Sequence, residues 1–179
     1  MTIDELIRKD TSFNESEFIS KVNIVLIKTL SSIMLDNLNS VKHFLSPEVV
    51  DKVNLEIKNY KDKNECHMYD ELNVSNTKIN KITEDNEYYY IETSSTVKYL
   101  DYIISLDNNE LVSGDNNNRI EKNYILSFKK LKSAVKANNV MKCPYCGNSL
   151  DINSDGQCHY CRKTFDLSKY DYILDRINR

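Results

Sequence analysis

EYYYIETSSTVKYLDYIISL, residues 87–106, decides the fold. Tyr89, Ile91, Val97, Tyr99 and Ile103 fall on alternate positions, and β-branched and aromatic residues dominate the run. That is the period of a strand whose one face is buried, and the length suits a bent strand spanning a whole sheet. Working outward, NYILSFKKL at 123–131 alternates again, with Tyr124, Leu126 and Phe128 on one face; Lys129, Lys130 and Lys132 are read as leading out of the domain. NNELVSGDNNN between the two runs is read as turns around Gly114, with Asn117 in a polar loop. Upstream, Leu72, Val74 and Ile79 form a third alternating run whose phase slips near Asn76, which predicts a bulge.

Before residue 64 the period is helical. In SFNESEF, Asn14 is a helix cap with Glu17 at the third helical position, and Phe13 and Phe18 fit a hydrophobic staple. A helix from about Glu15 then carries Phe18, Val22, Val25, Leu26, Leu30, Ile33 and Met34 as an apolar stripe. Ser46 and Pro47 start a second helix with Val49, Val53, Ile57 and Tyr60 on one face. Leu38, Val41 and Leu45 lie in a short helical connection, with His43 read as a surface or satisfied core histidine. Helices first and strands afterwards predict an α+β domain, with helices covering one face of a curved antiparallel sheet.

The chain has 179 residues, 24 Lys plus Arg against 27 Asp plus Glu, and 40% hydrophobic residues, enough for one domain with a small appendage. The balance of charge argues against general attraction to nucleic acid or anionic lipid. No stretch approaches 18 to 20 uninterrupted apolar residues, roughly the length of a membrane span, and MTIDELIRKD is too charged for a signal peptide. The expectation is a cytoplasmic protein without an integral membrane segment.

Four of the five cysteines lie in CPYCGNSLDINSDGQCHYC, residues 143–161. In a reducing compartment such clustering points to metal rather than disulfides. Cys143 and Cys146, then Cys158 and Cys161, form two knuckles of a zinc ribbon holding one structural Zn2+, with iron as the chemical rival. All four positions are used, so none remains for substrate. Gly147 allows a positive φ; Arg162 holds the matching place in the second knuckle, so either it accepts that geometry or the turn differs. Lys142, Arg162 and Lys163 offset the charge of the thiolates, a turn is expected near Asp155 and Gly156, and His159 is not a ligand. Tyr145, Tyr160, Arg162 and Lys163 are the candidate partner contacts. The expected division is an α+β domain over 1–132, a linker over 133–141, and the ribbon with its tail over 142–179. Tyr170, Tyr172, Ile173 and Ile177 make that tail too apolar to stand alone, so it packs on the larger domain or on a partner. Cys66 reads as a small core residue, and nothing beside His67 in sequence completes a catalytic triad.

DTSFNESEFISKV (10–22), DNLNSVKHFLSPEVVDKV (36–53), LVSGDNNNRIEKNYILSFKK (111–130) and the cysteine segment, taken in order, resemble bacterial proteins of the Tim44-like family. The resemblance spans about residues 8 to 165. It implies a fold similar to nuclear transport factor 2, a bent antiparallel sheet and helices enclosing an apolar cone. This chain lacks the Trp often found in the family's last strand, where Phe128 or Tyr124 stands, and no N-terminal membrane segment is expected in it; peripheral membrane association stays open.

The functional expectation is a non-catalytic module that binds an unidentified protein or peptide partner. The first alternative is nucleic-acid binding by the ribbon. The second is a small-ligand binder or enzyme using the cone, with Asp101 and Tyr99 or Tyr124.

Overall fold

A computed structural model describes residues 1–134, 143, 145–148, 157–164 and 166–178. Three helices, α1 (Ile3–Lys9), α2 (Glu15–Leu35) and α3 (Pro47–Lys61), precede strands β1 (Glu65–Glu84), β2 (Tyr88–Ser105) and β3 (Leu111–Leu131); β4 (Ile173–Asn178) ends the described chain. The strands form one antiparallel sheet in the order β1-β2-β3-β4. This is an α+β fold.

The helix starts follow from their caps. Asn14 Oδ1 accepts the Glu17 N–H at 3.0 Å, and the Phe13 and Phe18 rings lie 5.6 Å apart, closing the staple. Ser46 caps α3 ahead of Pro47. The α1 helix is an addition to the sequence reading: Thr2 and Glu5 form a reciprocal capping box, and Leu6 is buried. By length and composition α2 also satisfies a membrane span. In the fold its Val22, Val25, Leu26 and Leu30 are buried in one core with Ile91, Val97, Leu126 and Phe128 from β2 and β3.

Along β2 the buried phase runs unbroken from Tyr89 to Tyr99, with Thr93 and Ser95 filling the positions between the apolar residues. The expected slip in β1 falls between Val74 and Asn76, and two further register shifts flank it, between Asp70 and Asn73 and between Ile79 and Lys81. Where the resemblance implies an apolar cone, Tyr69, Tyr99 and Tyr124 are buried together, and the Tyr99 and Tyr124 hydroxyls share a hydrogen bond of 2.8 Å.

Three sequence readings need correction. Gly114 is not at the turn: the chain reverses between Ser105 and Leu111, and Gly114 lies inside β3 opposite Tyr102 with φ +87°. A Cβ there would run into the Asp101 carbonyl oxygen, so close strand approach selects glycine. Asn117 belongs to β3 as well, in an irregularity where Asp115 Oδ1 accepts the backbone N–H groups of Asn117 and Asn118. Lys130 does not lead outward. It continues the buried phase of Tyr124, Leu126 and Phe128, and its ammonium donates to Asp10 Oδ2 and Ser12 Oγ, both at 2.7 Å.

The tail packs on the larger domain. β4 pairs with Ile125–Lys129 of β3, the Leu174 carbonyl accepts the Ser46 N–H at 2.8 Å, and Lys52 donates to the Ile177 carbonyl at 2.7 Å. Tyr172 meets Phe18 with ring centroids 5.3 Å apart and Phe13 at 5.9 Å. Lys21 and Asp171 add an ion pair of 2.8 Å. The tail grouped with the ribbon by sequence therefore belongs to the sheet, and the cysteine segment is inserted between β3 and β4. The linker expected at 133–141 lies, from residue 135 onward, outside the described residues.

Candidate metal centre

The two Cys-x2-Cys segments fold into matching turns. Cys143 N–H donates to the Asn148 carbonyl at 2.7 Å and Gly147 N–H to the Cys143 carbonyl at 2.8 Å. Fifteen residues on, Cys158 N–H donates to the Lys163 carbonyl at 3.0 Å and Arg162 N–H to the Cys158 carbonyl at 2.8 Å. The backbone needs a left-handed residue at the same place in each: Gly147 has φ +72° and Arg162 has φ +60°. Of the two alternatives for Arg162, the first holds: it takes the geometry that glycine takes in the other knuckle.

These turns aim four sulfurs at one point. The Sγ atoms of Cys143, Cys146, Cys158 and Cys161 all lie within 4.8 Å of one another, with 3.7 Å between Cys143 and Cys161 and 3.9 Å between Cys146 and Cys158. A tetrahedron with metal–sulfur bonds of about 2.3 Å has edges of about 3.8 Å. The donor set thus fits a four-coordinate thiolate-bound metal. Cys143 and Cys158 are buried, while Asn148 Nδ2 reaches the exposed Cys146 sulfur at 3.7 Å. At Cys161 a backbone N–H from Lys163 favours the thiolate, but burial and the other three sulfurs push the thiol up to about 11. Four thiolates at this spacing need a cation among them.

Tyr145 and Tyr160 stand at the same place in the two knuckles, half exposed at 50% and 57%. The Lys163 ammonium lies 5.0 Å from the centroid of the Tyr145 ring, and Arg162 is exposed. Tyr145 also hydrogen-bonds Tyr170, which raises the Tyr170 pKa and ties the first knuckle to the returning tail. His159 packs edge-on against Tyr160 and is not in the sulfur cluster. Lys142, Pro144 and the turn expected at Asp155 and Gly156 lie outside the described residues.

With helices, sheet and cysteine cluster in place, the family comparison decides the identity of the larger unit: the Tim44-like domain matches residues 1–139. The chain belongs to the Tim44-like family. No curated protein matches it. The Tim44-like domain thus covers all three helices and β1 to β3, while β4 arrives from beyond the matched residues.

One constellation in the Tim44-like domain is assembled by strand register. Tyr69 pairs with Asp101 across β1 and β2, so His67 sits diagonally from Asp101, and its Nε2–H donates to Asp101 Oδ1 at 2.6 Å. Burial alone would raise the Asp101 carboxyl, but the bonds from His67 and from Lys122 hold it below its ordinary value. Asp101 and His67 are both singled out in sequence, but 34 positions apart. Glu56, whose Oε1 accepts the Tyr69 hydroxyl at 3.2 Å, was missed. The available signal was its place three residues after Val53, on the buried stripe of α3. Cys66 is half-buried with its Sγ 3.4 Å from the Met34 carbonyl, and burial pushes its thiol pKa up, which suits packing rather than nucleophilic attack.

Proposed function

We propose that this Tim44-like protein is a non-catalytic scaffold that binds a protein or peptide partner in the cytoplasm, stabilised by one structural Zn2+ on Cys143, Cys146, Cys158 and Cys161. The observation that carries the reading is the closed sulfur set: a four-coordinate ion there has no position for water or substrate, so it acts as a clip. The clip holds Tyr145 and Tyr160 half exposed on rigid turns, and partly buried tyrosines on rigid supports are good anchors for a protein surface. Zinc is the proposed ion because it is the usual occupant of structural four-cysteine ribbons, and iron is the rival with the same ligand set. The enzyme reading has less support: the carboxyl of Asp101 is held by His67 and Lys122 below its ordinary value, whereas a general base works best near neutrality.

Nucleic-acid binding by the same knuckles is the second reading, favoured by Arg162 and Lys163 beside the two tyrosines. Its weakness is charge. Residues 142–179 carry six Lys or Arg against five Asp, a net of plus one before the minus two of a zinc–tetrathiolate centre is counted.

The test is crosslinking of the full chain in its own cells, comparing wild type with Tyr145→Ala/Tyr160→Ala. A discrete protein crosslinked through the knuckles in wild type and lost in the zinc-loaded variant supports the scaffold. No such protein, or capture unchanged in the variant, overturns it. A salt-sensitive shift of RNA or DNA probes at low salt transfers the assignment to the second reading.

A further inference from the structure

Where α3 packs on β1, outside the four-cysteine cluster, a histidine is left with one nitrogen unused. His67 Nε2–H is committed to Asp101, whose second oxygen accepts from Lys122 at 3.1 Å. That bond fixes the ring, and in the neutral imidazole it leaves the lone pair on Nδ1. Nδ1 is buried without a hydrogen-bond partner among the described residues, and faces Glu56 Oε1 at 3.8 Å, too far for a hydrogen bond. A nitrogen lone pair and a carboxylate facing one another call for an electrophile between them.

We propose that His67 Nδ1 and the Glu56 carboxylate form a site for a divalent transition-metal ion of the Zn2+ or Ni2+ class. Bonds of about 2.1 Å to nitrogen and oxygen span a 3.8 Å separation at a wide ligand angle. The imidazole selects such ions over Mg2+ and Ca2+. A ligating histidine whose other N–H is held by a carboxylate is the usual arrangement in metal sites, and Asp101 already stands there. The Tyr69 hydroxyl orients Glu56 in the same way. Glu56 lines two cavities that share Lys52, of about 270 and 410 Å3, so the carboxylate side of the pair borders open space while the His67 nitrogen lies behind it. The site is independent of the ribbon and of the scaffold reading.

The experiment titrates Ni2+ into tag-free full-length protein whose cysteines already hold one zinc, following heat of binding and the imidazole NMR signals. One further ion per chain is expected, perturbing the His67 ring and not those of His43 or His159. His67→Gln abolishes it, and Asp101→Asn weakens it about 10- to 100-fold with unchanged circular dichroism. Glu56→Gln, at the cavity wall, provides the same loss should His67→Gln fail to fold. No further ion, binding that survives both His67→Gln and Glu56→Gln, or a His67 ring carrying both N–H protons at neutral pH and indifferent to Ni2+ overturns the proposal; in the last case the electrophile is a proton.

Discussion

Lys130 and Asp10 form a salt bridge of 2.7 Å between side chains only 6% and 5% exposed, joining the loop after α1 to β3 across 120 residues of sequence. Tyr172 completes the group, donating its hydroxyl to the same Asp10 oxygen at 3.2 Å, so the returning tail is welded to both. Breaking one partner leaves an uncompensated buried charge. Asp10→Ala is therefore expected to cost about 3–5 kcal/mol in chemical denaturation.

The same carboxylate makes stability fall in acid. Burial works to raise the pKa of Asp10, but the bonds from Lys130 and Ser12 hold it below its ordinary value. A depressed folded-state pKa contributes stability that is present above the unfolded value, near 3.9, and lost as pH falls through the folded one. Denaturation curves from pH 6 to pH 2 should show wild type losing more stability than Asp10→Asn, which has no charge to lose. Equal slopes for the two would contradict the assignment.

Removing the metal should unfold the ribbon and leave the sheet. The cysteine segment closes a connection between β3 and β4, and the entropy of an unclipped connection grows only with the logarithm of its length, about 0.6 kcal/mol per doubling. Against that stand Tyr172, Leu174 and Ile177 in the core. Hydrogen exchange after chelation should show the knuckles unprotected while Ile173–Asn178 keeps most of its protection. Loss of protection throughout β4 would mean that the clip holds the fold together.

The two left-handed backbone positions separate cleanly. Gly114→Ala brings a Cβ against the Asp101 carbonyl and strains φ, so a loss above about 1–2 kcal/mol is expected. Arg162→Gly removes strain at the matching knuckle position and should retain metal at least as well as wild type in competition with a chelator.

Much of this was legible because local chemistry and fold agree. The caps at Asn14 and Ser46, the staple of Phe13 on Phe18, and the alternation from Tyr89 to Tyr99 are local signals that packing rewards. The cysteine spacing is equally local. Lys130 was misread because its charge outweighed its phase: Tyr124, Leu126 and Phe128 place residue 130 inside, and the partner that permits a lysine there lies near the N-terminus. Gly114 was misread because turn chemistry and close strand approach both select glycine. The contact of His67 with Asp101 depends on register, which three shifts along β1 hide from any count of residues. The end of the sheet was illegible for a topological reason, since β4 returns only after the ribbon.

The central claim is that Cys143, Cys146, Cys158 and Cys161 hold one closed structural metal. X-ray absorption at the zinc edge, on protein desalted to remove weakly held ions, tests it most directly. The account predicts one zinc per chain with four sulfur neighbours at about 2.3 Å and no nitrogen or oxygen in the shell. A shell containing a water or histidine, or no stoichiometric metal at all, would contradict it.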